Sequence, residues 1–264
     1  MSDGNSMDPN HEVFKSFPGG VTLSWGLVKK PTRGPKGELS IAQIVQTAIE
    51  IADREGLAAL SMGKIAKSLG FTTMSLYRYV SSKNDLLLLM QDAACDIPVP
   101  EEQAERDWRE EMREFVRACV GIFREHPWYS DITIRNVPLT PNTLRLIDWT
   151  LRIMRDFPLS DYEKMSFVLL LNSYARACGL IERDKDVIIK EGDDSLEAFS
   201  GLAYSAGLKA LVKQADYPHL YPVLMGGAYT GEADNPIGDD LAFGLERILD
   251  GMEQYMETKK ALGE

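Results

Sequence analysis

The sequence predicts an all-α protein, with a three-helix domain near its N-terminus and a larger helical bundle behind it. Three observations lead there. Apolar residues recur at helical spacing through most of the 264 residues, and no stretch alternates apolar and polar side chains as a half-buried strand would. Ser or Thr followed three residues later by Gln, Glu or Asp recurs where those stretches begin, the arrangement that satisfies the first free backbone amides of a helix. The composition, 44% apolar and 26% charged, is globular, and the length suits one large or two modest domains.

Taken in order, residues 1–38 show no periodicity, contain Pro9, Pro18, Pro31 and Pro35, and end in the basic run KKPTRGPK, which reads as a flexible arm. Residues 39–90 read as the first domain. Ser40 with Gln43 opens a helix carrying Ile41, Ile44, Val45, Ala48, Ile51 and Ala52, which stops at Gly56. Ser61 caps a short second helix with Ile65, Ala66 and Leu69, and Gly70 ends it. Thr72 caps a third over about Thr73 to Val80, and Ser82 with Asp85 opens a fourth through LLLLM. Residues 91–264 read as the second domain. Its expected helices are Glu105 to Glu125, Pro141 to Asp156 with Thr140 as cap, Asp161 to Arg183 with a Ser160/Glu163 box, Ser195 to Gln214, and Asp240 to Glu257. The stretch GGAYTGEADNPIGDD reads as a mobile Gly-rich loop.

Charge is distributed unevenly. The whole chain carries a net -11, which taken alone argues against binding phosphate. From Lys29 to Lys83, however, nine basic residues face four acidic ones, a local +5, leaving -16 for the remainder. One module suited to phosphate and another suited to something else is the reading this asymmetry supports. Cys95, Cys119 and Cys178 are odd in number and lack CxxC spacing, so no disulfide framework or cysteine zinc site is expected and a reducing cytoplasm fits. No run approaches a membrane-spanning length and no signal pattern opens the sequence, so a soluble cytoplasmic protein without membrane association is expected.

A helix, a short helix, a Gly-containing turn and another short helix are the spacing of a helix-turn-helix, whose last element reads the major groove. The residues sharpen this. The segment IVQTAIEIADREGLAALSMGKIAKSLGFTTMSLYRYVSSKNDLL resembles the N-terminal pattern of the TetR family of transcriptional regulators. The likeness is carried by Leu60 and Ser61, by the I-A-x-x-L-G core Ile65, Ala66, Leu69 and Gly70, and by Ser75, Leu76, Tyr77, Arg78, Tyr79, Val80, Lys83 and Leu86. A looser resemblance to the family's tetracycline-repressor-like C-terminal domain rests on His126, Pro127, Trp128, the central apolar helix and FGLERILDG.

The resemblance implies a double-stranded DNA operator of inverted-repeat form, a homodimer, and release by a small-molecule effector. It implies DNA contacts by Ser61, Thr72, Thr73, Ser75, Tyr77, Arg78, Tyr79 and Lys83, the last as a phosphate clamp, with Lys30 and Arg33 of the arm beside them. Arg78 can take guanine O6 and N7 together or a phosphate. Tyr77 and Tyr79 can reach phosphate oxygens or belong to the small core. The arm can lie in a minor groove or stay a solvated tail. Met62 and Gly63 depart from the Thr or Arg that many relatives place at the start of the second helix.

The second domain shows no catalytic constellation: His11, His126 and His219 are scattered, and HExxH, GxSxG, GxGxxG and P-loop spacings are absent. Neither enzymatic activity, a metal nor a cofactor is expected. The helix SDYEKMSFVLLLNSYARACGLIER is apolar nearly all round its middle and must be covered by other helices or a second subunit. Asn172 and Arg176, four apart in that apolar company, either orient an effector or make an internal or dimer contact. Phe123, Trp128, Trp149 and Phe167 are candidate pocket residues, or plain core. The family pattern places the dimer contact on the helices expected at Asp161 to Arg183 and Asp240 to Glu257. The competing reading is an all-helical small-molecule carrier or enzyme with an incidental helix-turn-helix, separable by its lack of salt-dependent affinity for duplex DNA.

Overall fold

The computed structural model describes residues 12–27, 39–102, 106–132, 139–191 and 202–262, the backbone alone at 185–191 and 202–203. Among them every regular element is helical. The chain divides into two compact units between Leu180 and Ile181.

In the first unit, a short helix α1 (Gly19–Ser24) precedes α2 (Ile41–Glu55), α3 (Met62–Leu69), α4 (Thr73–Tyr77) and α5 (Lys83–Ala94). The caps are those the sequence signals. Ser40 and Gln43 bond each other's backbone amides at α2, and the Ser61, Thr72 and Ser82 side chains accept from Lys64, Ser75 and Asp85 N–H respectively. Gly56 and Gly70 turn the chain at φ +78° and +75°, where a Cβ is penalised. Ile44, Ala48, Leu60, Ile65, Leu76, Val80 and Leu86 close one apolar core. The recognition element ends at Tyr77, three residues short of the expected Val80, because the Leu76 carbonyl accepts from both Tyr79 and Val80 N–H and the last turn tightens.

The expected featureless arm holds α1, which corrects that reading over residues 19–24. Its helicity depends on a distant partner: Gly20 N–H donates to Asp85 Oδ1 of α5 at 2.6 Å, and Val21 is 2% exposed beneath it. Trp25, just beyond, donates its indole N–H to the Leu139 carbonyl at 2.7 Å. A methyl group on Gly20 would come within 2.6 Å of the Asp85 carbonyl, so this approach needs glycine. Lys30 and Arg33 lie outside the described residues.

The body of the first unit is built from α6 (Trp108–Glu125), a 3-10 turn Pro127–Asp131, α7 (Pro141–Ile153) and, as far as Leu180, α8 (Asp161–Glu191). Phe115, Met112, Trp128, Trp149, Met154 and Leu171 are fully buried. α7 starts at Pro141 with Thr140 in the N-cap position as expected, but the Thr140 hydroxyl makes no cap; the amide two residues on, Asn142 N–H, donates instead to Asp92 Oδ1 of α5 at 2.8 Å. Burial raises the Asp92 carboxyl pKa, opposed by that amide. α8 extends past the expected Arg183.

The second unit holds α9 (Leu202–Leu211), a short α10 (Leu220–Met225) and α11 (Asp240–Leu262). The expected start of α9, from Ser195, lies outside the described residues, and its described end comes three residues before the expected Gln214. α10 was not signalled by the sequence because Pro222 reads as a breaker, yet Pro is tolerated in a first turn, whose amides have no helical acceptor. The Gly-rich loop is tied down: Glu232 N–H donates to the Gly227 carbonyl at 3.0 Å and its carboxylate pairs with Lys209.

Candidate nucleic-acid interface

α4 is a single turn and a half whose inner side is one residue, Leu76, at 0% exposure. Everything else on it faces outward or sideways. Met74 is 73% exposed and Tyr77 44%; Arg78 is exposed, and Thr73, Ser75 and Tyr79 are half-buried. The Thr72 and Ser75 hydroxyls lie 2.9 Å apart and bond each other, so their first partners are within the turn. Ser61 is exposed, with its hydroxyl spent on Lys64 N–H at 3.2 Å. Lys83 sits on the exposed start of α5 and donates its ammonium to the Leu60 carbonyl at 2.7 Å, bracing the loop between α2 and α3. Of the basic groups on α3, Lys64 pairs with Glu55, whose carboxyl it holds below the ordinary range, and Lys67 is exposed.

The structure therefore gathers Thr72, Thr73, Ser75, Tyr77, Arg78 and Tyr79 on or just beyond one short element, with Ser61 and Lys83 on the elements flanking it. The sequence reading missed Met74. An apolar side chain in a helical stretch reads as core, and only the local turn of α4 puts it in solvent.

The six effector candidates are arranged differently. Phe123, Trp128 and Trp149 are buried, and Phe167, Asn172 and Arg176 half-buried. Asn172 donates back to the Val168 carbonyl of its own helix at 2.8 Å. Arg176 donates to the carbonyls of Ser130 and Ile132 at 2.6 and 3.2 Å, which fits the internal contact rather than a free cation. The Trp128 indole donates to Asp53 Oδ1 at 2.6 Å. Trp149, edge-on to Phe115 at 5.4 Å between centroids, is different: its indole N–H is buried and has no acceptor among the described residues. A recess of about 380 Å³ is lined by Asp96, Ile97, Pro98, Val99 and Arg145, none of them among the candidates. Among the described residues, no group of three His, Cys, Asp or Glu side chains is arranged to hold a metal, and no helix is long and apolar enough to cross a membrane.

A capped helix pair joined at a left-handed glycine, with an outward-facing second helix and a basic surround, defines a helix-turn-helix DNA-binding protein. Comparison with known proteins places it more narrowly. Residues 44–90 match the model of bacterial regulatory proteins of the tetR family, and residues 99–256 match the tetracyclin repressor-like C-terminal domain. The chain belongs to the tetR family and is a transcriptional regulator. It is 32% identical over 247 residues to the HTH-type transcriptional repressor DrrR1 of Streptomyces coeruleorubidus, covering 91% of this chain and 87% of that one. Among solved structures it is similar to apo ActR of Streptomyces coelicolor, with a TM-score of 0.67, 26% identity, and coverage of 85% of this chain and 99% of ActR. It is similar also to ActR in complex with actinorhodin, with a TM-score of 0.65, 28% identity, and coverage of 81% and 95%.

Proposed function

We propose that this chain is a cytoplasmic repressor that binds an inverted-repeat operator in duplex DNA as a homodimer and is released by a small molecule. The observation that carries the DNA-reading part is the outward face of α4, where Met74, Tyr77 and Arg78 stand in solvent over a single buried anchor, Leu76. On this reading Arg78 takes a guanine edge, Met74 meets a thymine methyl, Tyr77 and Tyr79 reach phosphates, and Thr72, Thr73, Ser75, Ser61 and Lys83 position the backbone. Lys30 and Arg33 add charge from the segment joining α1 to α2.

Dimerisation is supported by α8, which leaves Tyr162 90%, Leu169 69% and Met165 43% exposed on a helix whose other side is core. An apolar stripe of that kind marks an interface. α11 also leaves Phe243 and Tyr255 more than 40% exposed. The likeness to ActR, whose actinorhodin complex is known, supports an effector held in the body. Within it, the indole N–H of Trp149, without an acceptor among the described residues, suits an acceptor oxygen, and the aromatic side chains Trp149, Phe123 and Phe167 suit an aromatic molecule. Trp128, Asn172 and Arg176 contribute by holding this wall, their donors being engaged by protein acceptors. The domains follow this division of labour: a DNA-reading domain over 39–90 and an effector and dimer domain over 91–264.

Selection of binding sequences from a random duplex library by the purified protein, with Tyr77→Ala beside it, tests the proposal. An enriched inverted repeat that the variant loses is the expected result. No enrichment at low salt, after removal of co-purified small molecules, would overturn it in favour of a ligand carrier.

A further inference from the structure

Asp53 lies near the C-terminal end of α2 and is not among the residues assigned above to DNA contact. Its Oδ1 accepts two hydrogen bonds from one place in the body: the indole N–H of Trp128 at 2.6 Å and Nδ1 of His126 at 2.9 Å. These donors flank Pro127, at the start of the turn that links α6 to the rest of the body. Trp128 is 1% exposed, so its indole cannot swing to a water as a replacement acceptor.

The turn itself is held by α8 as well. Arg176 of α8 donates to the Ser130 and Ile132 carbonyls, and its guanidinium lies 5.9 Å from the centre of the Phe123 ring. Three residues on, Gly179 brings the backbone of α8 against Phe123 so closely that a methyl group there would sit 2.4 Å from the Phe123 Cβ. A continuous path of hydrogen bonds and direct packing thus runs from α8 through the turn to Asp53, and from Asp53 into α2, whose buried face carries the packing of the helix-turn-helix.

We propose that Asp53 is the positioning residue that fixes the DNA-reading domain to the body, so that the spacing of the two recognition helices in the dimer is set through the Asp53, Trp128 and Arg176 contacts. This rests on the reading of the chain as a dimeric operator-binding regulator. Duplex DNA accepts a pair of heads only at one separation and helical phase, and one inserted base pair both lengthens the site and rotates one half-site against the other. A body that holds its heads firmly discriminates against that insertion; one that holds them loosely does not.

The test uses the full chain, the selected operator, the same operator with one or two base pairs inserted at its centre, and a single half-site. Wild type is expected to lose about tenfold or more in affinity on a one-base-pair insertion. Asp53→Ala and Trp128→Phe, the latter keeping an aromatic ring without the N–H, are expected to reduce that penalty to about threefold or less with half-site affinity unchanged, since no DNA-facing group is altered. Asp53→Asn retains an acceptor oxygen for the indole and is expected to keep most of the discrimination. Variants that fold, bind the half-site as wild type does and retain the full spacing penalty would overturn the proposal. If Asp53→Ala does not fold, Trp128→Phe decides. Should wild type bind no duplex at all, the regulatory reading fails separately, and amide hydrogen exchange judges the joint. Faster exchange over residues 41–77 in Trp128→Phe, with α7 unchanged, is the supporting result, and unchanged exchange in both regions overturns it.

Discussion

The crossing of α8 over α6 permits a stability prediction whose sign is opposite at two glycines. At Gly179 an added methyl would lie 2.4 to 2.6 Å from Cβ, Cγ and Cδ2 of Phe123. Ordinary carbon contacts are about 3.5 to 4.0 Å, so the overlap is on the order of 1 Å. Rotating the Phe123 ring gives no relief, because the nearest atom is the Cβ fixed to its backbone. The helices must separate, in a region where Phe123 and Cys178 are buried and Arg176 is hydrogen-bonded to the turn that follows α6. Overpacking of this sort costs about 1 to 3 kcal/mol or more, against a gain of roughly 0.5 to 1 kcal/mol from replacing a helical glycine by alanine. Gly179→Ala is therefore expected to destabilise by about 1 to 2 kcal/mol. Gly121, on α6, has nothing within 4 Å of the added methyl, and Gly121→Ala is expected to stabilise by about 0.5 to 1 kcal/mol. Urea unfolding followed by far-ultraviolet circular dichroism measures both, with a constant slope showing that the unfolded state has not changed. A neutral or stabilising Gly179→Ala would refute the claim that α8 and α6 meet at backbone distance.

Two other predictions concern single side chains. Met74→Ala should leave the melting temperature unchanged, since the side chain is 73% exposed, while weakening operator binding by about 1 kcal/mol and flattening the preference at one thymine per half-site. Leu76→Ala, at 0% exposure, should instead cost about 2 to 5 kcal/mol of stability; fluorescence anisotropy and thermal melts separate the two effects, and equal behaviour of both variants would remove the distinction. The buried thiols predict alkaline weakening. Burial pushes Cys95 and Cys119 above their ordinary value of 9.0 and Tyr129 above 10.0. The folded chain therefore keeps protons that the unfolded chain releases, so their stabilisation is complete below about pH 8 and is lost as pH rises past 9, by up to about 1.4 kcal/mol per unit per group. The urea midpoint should fall between pH 8 and pH 10, and Cys119→Ala should lessen the fall; a flat profile would contradict it.

What could be read from the sequence was what is decided within a few residues. The boxes at Ser40 and Ser160, the caps at Ser61, Thr72 and Ser82 and the left-handed Gly70 are local chemistry, and the structure has them where the spacing put them. What could not be read is decided across the chain. α1 is short and rich in glycine, and its partner Asp85 is 65 residues away. Thr140 looked like a cap because Thr before Pro often is one, but Asp92, 50 residues earlier, takes the amide. The choice left open at Arg176 turned on two carbonyls more than 40 residues upstream that no sequence pattern announces. Met74 shows the converse failure, an apolar residue whose helix is too short to have two buried rows.

The docking of α1 on α5 bears on how this protein can be re-engineered. Modular exchange of DNA-reading heads between regulators assumes a seam at the start of α2. Here the seam is displaced, because residues 19–27 come before the head in sequence yet bond Asp85 inside it and Leu139 inside the body. A graft of residues 40–90 alone would uncover the Val21 footprint and leave Asp85 Oδ1 without the Gly20 amide, with Ser82 still bonded to the other oxygen. A transplant that carries the upstream turn along, with its glycine pair intact, keeps both; the transferable unit is longer than the motif that reads DNA.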